Sequence, residues 1–124
     1  MYPENLKYSK EHEWAKAEGD IAVIGISHHA QDALGDVVFV DLPKLGVKVK
    51  ALQEIGVVES IKTVSNLYTP VSGEVVEINA GLKDHPEKVN QDPYGEGWML
   101  KIKMSDPKEL SALLSAADYQ KTFA

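Results

Sequence analysis

The chain has 124 residues, a length that fits one domain, with 44% hydrophobic and 26% charged residues and a formal net charge of -6. That balance excludes a disordered or fibrous chain, and the acidic surplus disfavours a nucleic-acid partner because a phosphate backbone would be repelled. Cysteine is absent, which removes disulfides, thiol nucleophiles and Cys-zinc sites together, so any sulfur chemistry must come from an attached group.

No apolar run is long enough to span a membrane, and Met1 to Lys7 has neither the apolar core of a signal peptide nor the Arg-rich bias of a transit sequence. A cytoplasmic protein without membrane contact is expected. Trp14 to Ile26 reads as two β runs around Glu18-Gly19-Asp20, an N-terminal hairpin. Ser27 can cap a short helix, His28 to Leu34, with Gly35 as its left-handed exit. Val37 to Val40 follows as a buried strand. Ile55 to Ile61 and Leu67 to Val71 are further β runs, and Lys62 begins the hairpin tip between them. Gly73 to Ile78 and Trp98 to Ile102 complete the strands, separated by an irregular Asn79 to Gly97 stretch. A C-terminal helix over about 106–120 is expected, opened by Pro107 after Ser105 or Asp106 and carrying Leu110, Leu113 and Leu114 on one face.

Gly35-Asp-Val-Val-Phe-Val-Asp41 is matched 38 residues later by Gly73-Glu-Val-Val-Glu-Ile-Asn79, and Gly56-Val-Val58 aligns with Gly97-Trp-Met99 at an offset of 41. Two similar β units forming facing halves of one flattened barrel would explain the repeat, since neither half could bury its apolar face alone. An exposed lysine at a rigid hairpin tip suits a group that partners must reach. With thirteen Lys and Arg residues in the chain, exposure alone marks none of them, and the surrounding string decides.

Gly56-Val-Val-Glu-Ser-Ile-Lys62-Thr-Val-Ser-Asn-Leu-Tyr-Thr-Pro-Val-Ser-Gly-Glu-Val75 resembles the lipoyl-lysine segment of glycine cleavage H proteins, with Lys62 at the modified position. Glu11-His-Glu-Trp14, Ala30-Gln-Asp-Ala-Leu-Gly-Asp36 and Asn90-Gln-Asp-Pro-Tyr-Gly-Glu-Gly-Trp98 extend the resemblance in the family's order over almost the whole chain. Asn66 stands where Asp is common, Ile61 where Val is common, and Leu52-Gln53 where a turn often carries Gly-Asp. The resemblance implies a mainly β, flattened two-fold pseudo-symmetric barrel-sandwich hybrid of lipoyl/biotinyl type, one carrier domain over residues 1–124. It implies a non-catalytic carrier of glycine catabolism and one-carbon metabolism, with lipoate attached to Lys62 on an arm on the order of 15 Å long. The implied partners are the pyridoxal-phosphate glycine decarboxylase (P protein), the aminomethyltransferase (T protein), dihydrolipoyl dehydrogenase (L protein) and a lipoate ligase or lipoyl transferase. A relay of lipoate to other enzymes is compatible with the same residues.

Biotin carriers share the barrel type but present Met-Lys-Met, whereas Ile61 and Thr63 flank this lysine. Lipoyl domains of 2-oxo acid dehydrogenases present Asp-Lys-Ala ahead of a linker and a catalytic domain. A metal or hydrolytic enzyme would have to use His12, His28, His29 and His85. Adjacent helical histidines diverge by about 100°, unlike a chelating i, i+4 pair, so surface or cap roles are expected for all four and no catalytic or metal site is assigned. Strand alternation would also put Glu11 and Glu13 on one face and His12 on the other. Glu13 and Asn66 are the candidates for sheltering the loaded arm: a carboxylate in a cleft beside the hairpin would keep the cargo nitrogen protonated, and Asn66 would add a neutral acceptor.

Overall fold

The N-terminal hairpin is built around one aromatic ring. In the computed structural model, which describes residues 2–123, β2 (Glu13–Glu18) and β3 (Ile21–Ile26) pair antiparallel with Trp14 opposite Gly25. A Cβ on Gly25 would lie 2.6 Å from the indole, so only glycine lets the ring lie flat across the strand. Trp14 is buried and its indole N–H donates to the Pro93 carbonyl (3.0 Å), tying the hairpin to the irregular segment. β3 is covered on both faces: Ala22, Ile24 and Ile26 face the main core, while Val23 joins Leu6, Tyr8, Trp14, Ala116 and Tyr119 in a second cluster.

The remaining elements are β1 (Lys7–Tyr8), α1 (His28–Leu34), β4 (Val37–Asp41), β5 (Lys48–Val49), β6 (Glu54–Ser60), β7 (Val64–Tyr68), β8 (Gly73–Ile78), α2 (Gly81–Asp84), α3 (Lys88–Gln91), β9 (Leu100–Met104), a 3-10 helix Pro107–Ala112 and α4 (Ala116–Phe123). They form a six-stranded sheet in the order β1-β2-β3-β9-β8-β5 and a three-stranded sheet β4-β6-β7. Val40, Val58 and Leu67 from the smaller sheet share one core with Ile24, Val75, Leu100 and Ile102 from the larger. The expected mainly β architecture, with its hairpin, short internal helix and C-terminal helix, is present. α1 has the bounds its end signals predict: Ser27 accepts from the Ala30 N–H, and Gly35 leaves with φ +81°.

The internal repeat is visible in the ladders. β4 pairs with β6, Val40 opposite Val58, with a register shift between Val37 and Phe39; β8 pairs with β9, Ile78 opposite Leu100, with a shift between Val75 and Glu77. The two irregularities are themselves 38 residues apart. The partner strands are offset by 42 (58 to 100) rather than the 41 read from glycines, and the residues by which the second copy is longer lie between Ile78 and Leu100, a stretch expected to be irregular that carries α2 and α3. Glycines and prolines there mask two single helical turns, held by buried Leu82 and Val89.

The C-terminal helix also differs from expectation. The predicted span of about 106–120 is split into Pro107–Ala112 and Ala116–Phe123. Leu113 turns extended, and Leu114 exchanges two backbone hydrogen bonds with Tyr8 (2.8 and 2.7 Å), so a tertiary β-bridge replaces a turn of helix.

Leu52 has φ +71° and is 66% exposed at the turn before β6. A left-handed backbone costs a non-glycine residue about 1–2 kcal/mol, of which glycine's greater unfolded-state entropy returns part. Leu52→Gly should therefore stabilise the protein by roughly 0.5–1 kcal/mol, read as a higher urea midpoint at unchanged slope. A lower midpoint would show that the leucine side chain contributes contacts of its own.

Candidate functional site

β6 and β7 meet at a two-residue tip, Ile61-Lys62, flanked by Ser60 and Thr63. Tight hairpins commonly use left-handed residues in the turn. Here neither tip residue has positive φ, and the Ser60 side chain holds the turn instead. Ser60 Oγ accepts from the N–H groups of Lys62 (3.3 Å) and Thr63 (3.1 Å), and the Ser60 N–H donates to the Thr63 carbonyl (2.8 Å). Outside the hairpin, the Ile61 N–H donates to the Asp36 carbonyl at the α1–β4 elbow (3.1 Å). Lys62 is exposed, and none of the ion pairs among the described residues involves it. Its stem lies against Gly35, where an added Cβ would stand 2.9 Å from Lys62 Cε. The tip thus presents an unpaired amine on a fixed base.

Only one end of the pseudo-symmetric barrel does this. The ladder shifts map Asp36 and Ile61 onto Glu74 and Lys103, and Gly35 and Lys62 onto Gly73 and Met104, both pairs in direct register in the second copy. Met104 is buried and its N–H donates to the Asp20 carbonyl, so the strand stays in the sheet. The 3-10 helix is tied to that end, with Glu109 accepting from Ser72 N–H (2.7 Å) and Oγ (2.8 Å). A broad groove of about 1010 Å³ remains there, lined by Lys48, Lys50 and Lys103, but no residue of the Lys62 tip lines it.

A narrower cleft of about 270 Å³ begins at Thr63 and runs between β7, α1 and the start of β2. Glu13 and Asn66 both line it, as do His12, His29 and Ala33. Glu13 is only 2% exposed; it accepts from Ser9 Oγ (2.6 Å) and from the Tyr68 N–H (3.2 Å). Burial pushes its carboxyl up to about 8 against the pull of these two donors, so it holds its proton at neutral pH. Asn66 is exposed, its amide 3.5 Å from the Tyr68 hydroxyl.

Two expectations fail at this cleft. His12 has φ +72°, which breaks the alternation: Glu11 points to solvent, Glu13 is buried, and the imidazole turns inward. Surface or cap roles describe His85, exposed beside Glu87, and His28, at the first position of α1. They do not describe His12 and His29, whose rings stack at 4.6 Å under Tyr119 and Phe123 of α4. His12 Nδ1 lies 2.7 Å from the Tyr119 hydroxyl, which also bonds Ser27 Oγ. Burial, then the neighbouring His29, lowers the His12 pKa, which keeps that imidazole neutral. His29 Nδ1 is buried without a partner among the described residues, and no group of three metal-ligating side chains forms among them. Sequence reasoning did not single out Ser9, Ser60 or Asn90. Asn90 and Ser60 carried a signal, their places in the Asn-Gln-Asp-Pro-Tyr motif and in the string that precedes Lys62; Ser9 carried none.

The family model described as glycine cleavage H-protein matches residues 6–124. The glycine cleavage system H protein of Symbiobacterium thermophilum is 60% identical over 117 residues, covering 94% of this chain and 91% of that one. That of Staphylococcus carnosus is 56% identical over 118 residues, covering 95% and 94%. The crystal structure of a glycine cleavage system H protein from Mycobacterium marinum superimposes with a TM-score of 0.89 at 40% identity, covering 97% of both chains.

Proposed function

Because the chain belongs to the glycine cleavage H-protein family, the lipoyl carriers of the glycine cleavage system, we propose that its lipoate is joined by an amide to Lys62. The observation that carries this reading is the exposed, unpaired Lys62 amine on a tip held by Ser60 and Asp36, beside a cleft. When attached, lipoate supplies a dithiolane whose opened sulfur carries the aminomethyl group. The residues of the chain bind and orient. Ser60 and the Asp36 carbonyl fix the base of the arm, and the apolar lining of the cleft, Ala33, Leu34 and Val58 among it, excludes water.

Glu13 acts at the nitrogen of the cargo. A protonated carboxyl next to an incoming free amine gives up its proton, leaving a carboxylate held by Ser9 and the Tyr68 N–H against an ammonium. Asn66, which lines the same cleft, adds a neutral acceptor. The protein then works without catalysing a step itself, receiving the aminomethyl group from the glycine decarboxylase, delivering it to the aminomethyltransferase and being reoxidised by dihydrolipoyl dehydrogenase. A lipoate ligase or lipoyl transferase loads the arm, and these partners meet it in the cytoplasm. Among the described residues no helix is long and apolar enough to cross a membrane.

Co-expression with a lipoate ligase and lipoate, followed by intact mass and peptide mapping, tests the attachment. The added mass should fall wholly within the peptide containing Lys62. Its appearance on another lysine would overturn the assignment.

A further inference from the structure

We infer that Asn90, 28 residues along the chain from Lys62, is a positioning residue for lipoylation: it clamps the α1–β4 elbow on which the lysine hairpin rests. The inference builds on Lys62 as the acceptor. Asn90 ends neither of the strands that make the hairpin; it lies in α3, anchored through its buried neighbour Val89. Its amide nitrogen donates to the Gly35 carbonyl (2.7 Å) and to Gln31 Oε1 (3.1 Å), and its oxygen accepts the Val37 N–H (2.8 Å). One side chain therefore holds the last turn of α1, its left-handed exit and the first residue of β4.

The elbow needs such a clamp. Gly35 has the widest conformational freedom of any residue type, and the β4–β6 ladder is interrupted just beyond, between Val37 and Phe39. Two residues of this elbow bear on the lysine tip. Asp36 accepts the Ile61 N–H, and the Lys62 stem lies on Gly35. A side chain at position 35 would occupy the bed of that stem, so the elbow must present bare backbone there and hold it still. Without Asn90 the hairpin remains hydrogen-bonded within itself through Ser60 and laddered to β4 from Phe39 to Asp41, but its tip loses the fixed elbow on which Ile61 and Lys62 rest.

A modifying enzyme reads the position of the tip, and a tip that spends only a fraction of its time in the competent pose binds in proportion to that fraction. Asn90→Ala should therefore raise the KM of a lipoate ligase for the protein, with kcat little changed, lowering kcat/KM by about tenfold, the factor expected from losing about 1.4 kcal/mol of restraint. The matched control is Asn79→Ala. Asn79 also donates its amide to two carbonyls, those of Glu96 (2.8 Å) and Trp98 (2.7 Å), but it touches neither the elbow nor the hairpin. It should lose comparable thermal stability and be lipoylated at the wild-type rate. Amide exchange in the unmodified chain should quicken at Ile61 and Val37 in the Asn90 variant alone. If Asn90→Ala does not fold, Gln31→Ala removes one of the three bonds and should show the same shifts at smaller size. Wild-type kinetics for Asn90→Ala, or an equal loss for Asn79→Ala, would overturn the inference. A wild-type chain modified elsewhere than Lys62 would instead overturn the acceptor assignment, and Ile61 exchange would still decide whether Asn90 holds the tip.

Discussion

Lys62→Arg should take lipoate incorporation from complete to none while moving the melting temperature by about a degree or less. The size of the first effect follows from chemistry. Amide formation needs a neutral amine with a free lone pair; lysine reaches that state by losing one proton, whereas a guanidinium stays protonated and delocalised at any working pH. The small second effect follows from geometry. The Lys62 side chain is exposed and unpaired, and the turn is held by its backbone N–H and by Ser60, which arginine leaves untouched. An arginine stem can lie across Gly35 as the lysine stem does, because the contact is with aliphatic carbon rather than with the charge. Intact mass after co-expression with the ligase reads the first quantity and a thermal melt the second. Residual lipoate on the Lys62→Arg protein would move the attachment site elsewhere. A collapse of the melt with incorporation lost would leave the site unproven, and Lys62→Gln, which also lacks an amine, would then separate chemistry from folding.

Local signals in the sequence carried most of what surrounds this lysine. Glu18-Gly19-Asp20 places a hairpin, Ser27 and Gly35 bound a helix to the residue, and two β runs leave Lys62 at a tip. The 38-residue repeat announces two similar β units, and the structure adds a matching register shift in the first strand of each, where it bends over the shared core. What was not legible depends on distant parts of the chain. The C-terminal helix breaks at Leu113 because Leu114 finds Tyr8, more than a hundred residues earlier, a partner no helical periodicity encodes. His12 is turned inward by a left-handed backbone that its residue type does not announce, and is then covered by Tyr119 and Phe123. Glu13 could be nominated from its motif, yet its burial against Ser9 and Tyr68, and hence its proton, is a product of packing.

Glu13→Gln should speed the spontaneous decay of the aminomethyl-loaded protein by about tenfold or more, the factor that one pKa unit at the cargo nitrogen provides. In that decay water supplies the oxygen of formaldehyde, nitrogen leaves as ammonia, and sulfur returns to a thiol; the free amine drives it and the ammonium resists it. Glu13 favours the ammonium by surrendering its own proton, which glutamine cannot do. The substituted glutamine retains the shape of the side chain, and Ser9 and the Tyr68 N–H can still bond its amide, so lipoylation of Lys62 should be unchanged. The same substitution has a signature in the unloaded protein. With a carboxyl near 8 when folded and 4.5 as the reference for the unfolded chain, the native state binds the extra proton between those values. The stabilising contribution of Glu13 is thus fully present below about pH 4.5 and is lost as the pH rises through about 8. Glutamine does not titrate, so the variant should gain on the wild type steadily from about pH 5 to pH 8, by an amount on the order of a few kcal/mol at the upper limit. Chemical denaturation across that range measures the gain, and release of ammonia and formaldehyde from loaded protein measures the decay. An unchanged decay rate combined with the expected pH trend would remove Glu13 from the sheltering role while leaving its buried proton, and the carrier, in place. A flat stability difference with faster decay would mean instead that Glu13 is ionised before the arm arrives and acts on the cargo as a preformed charge.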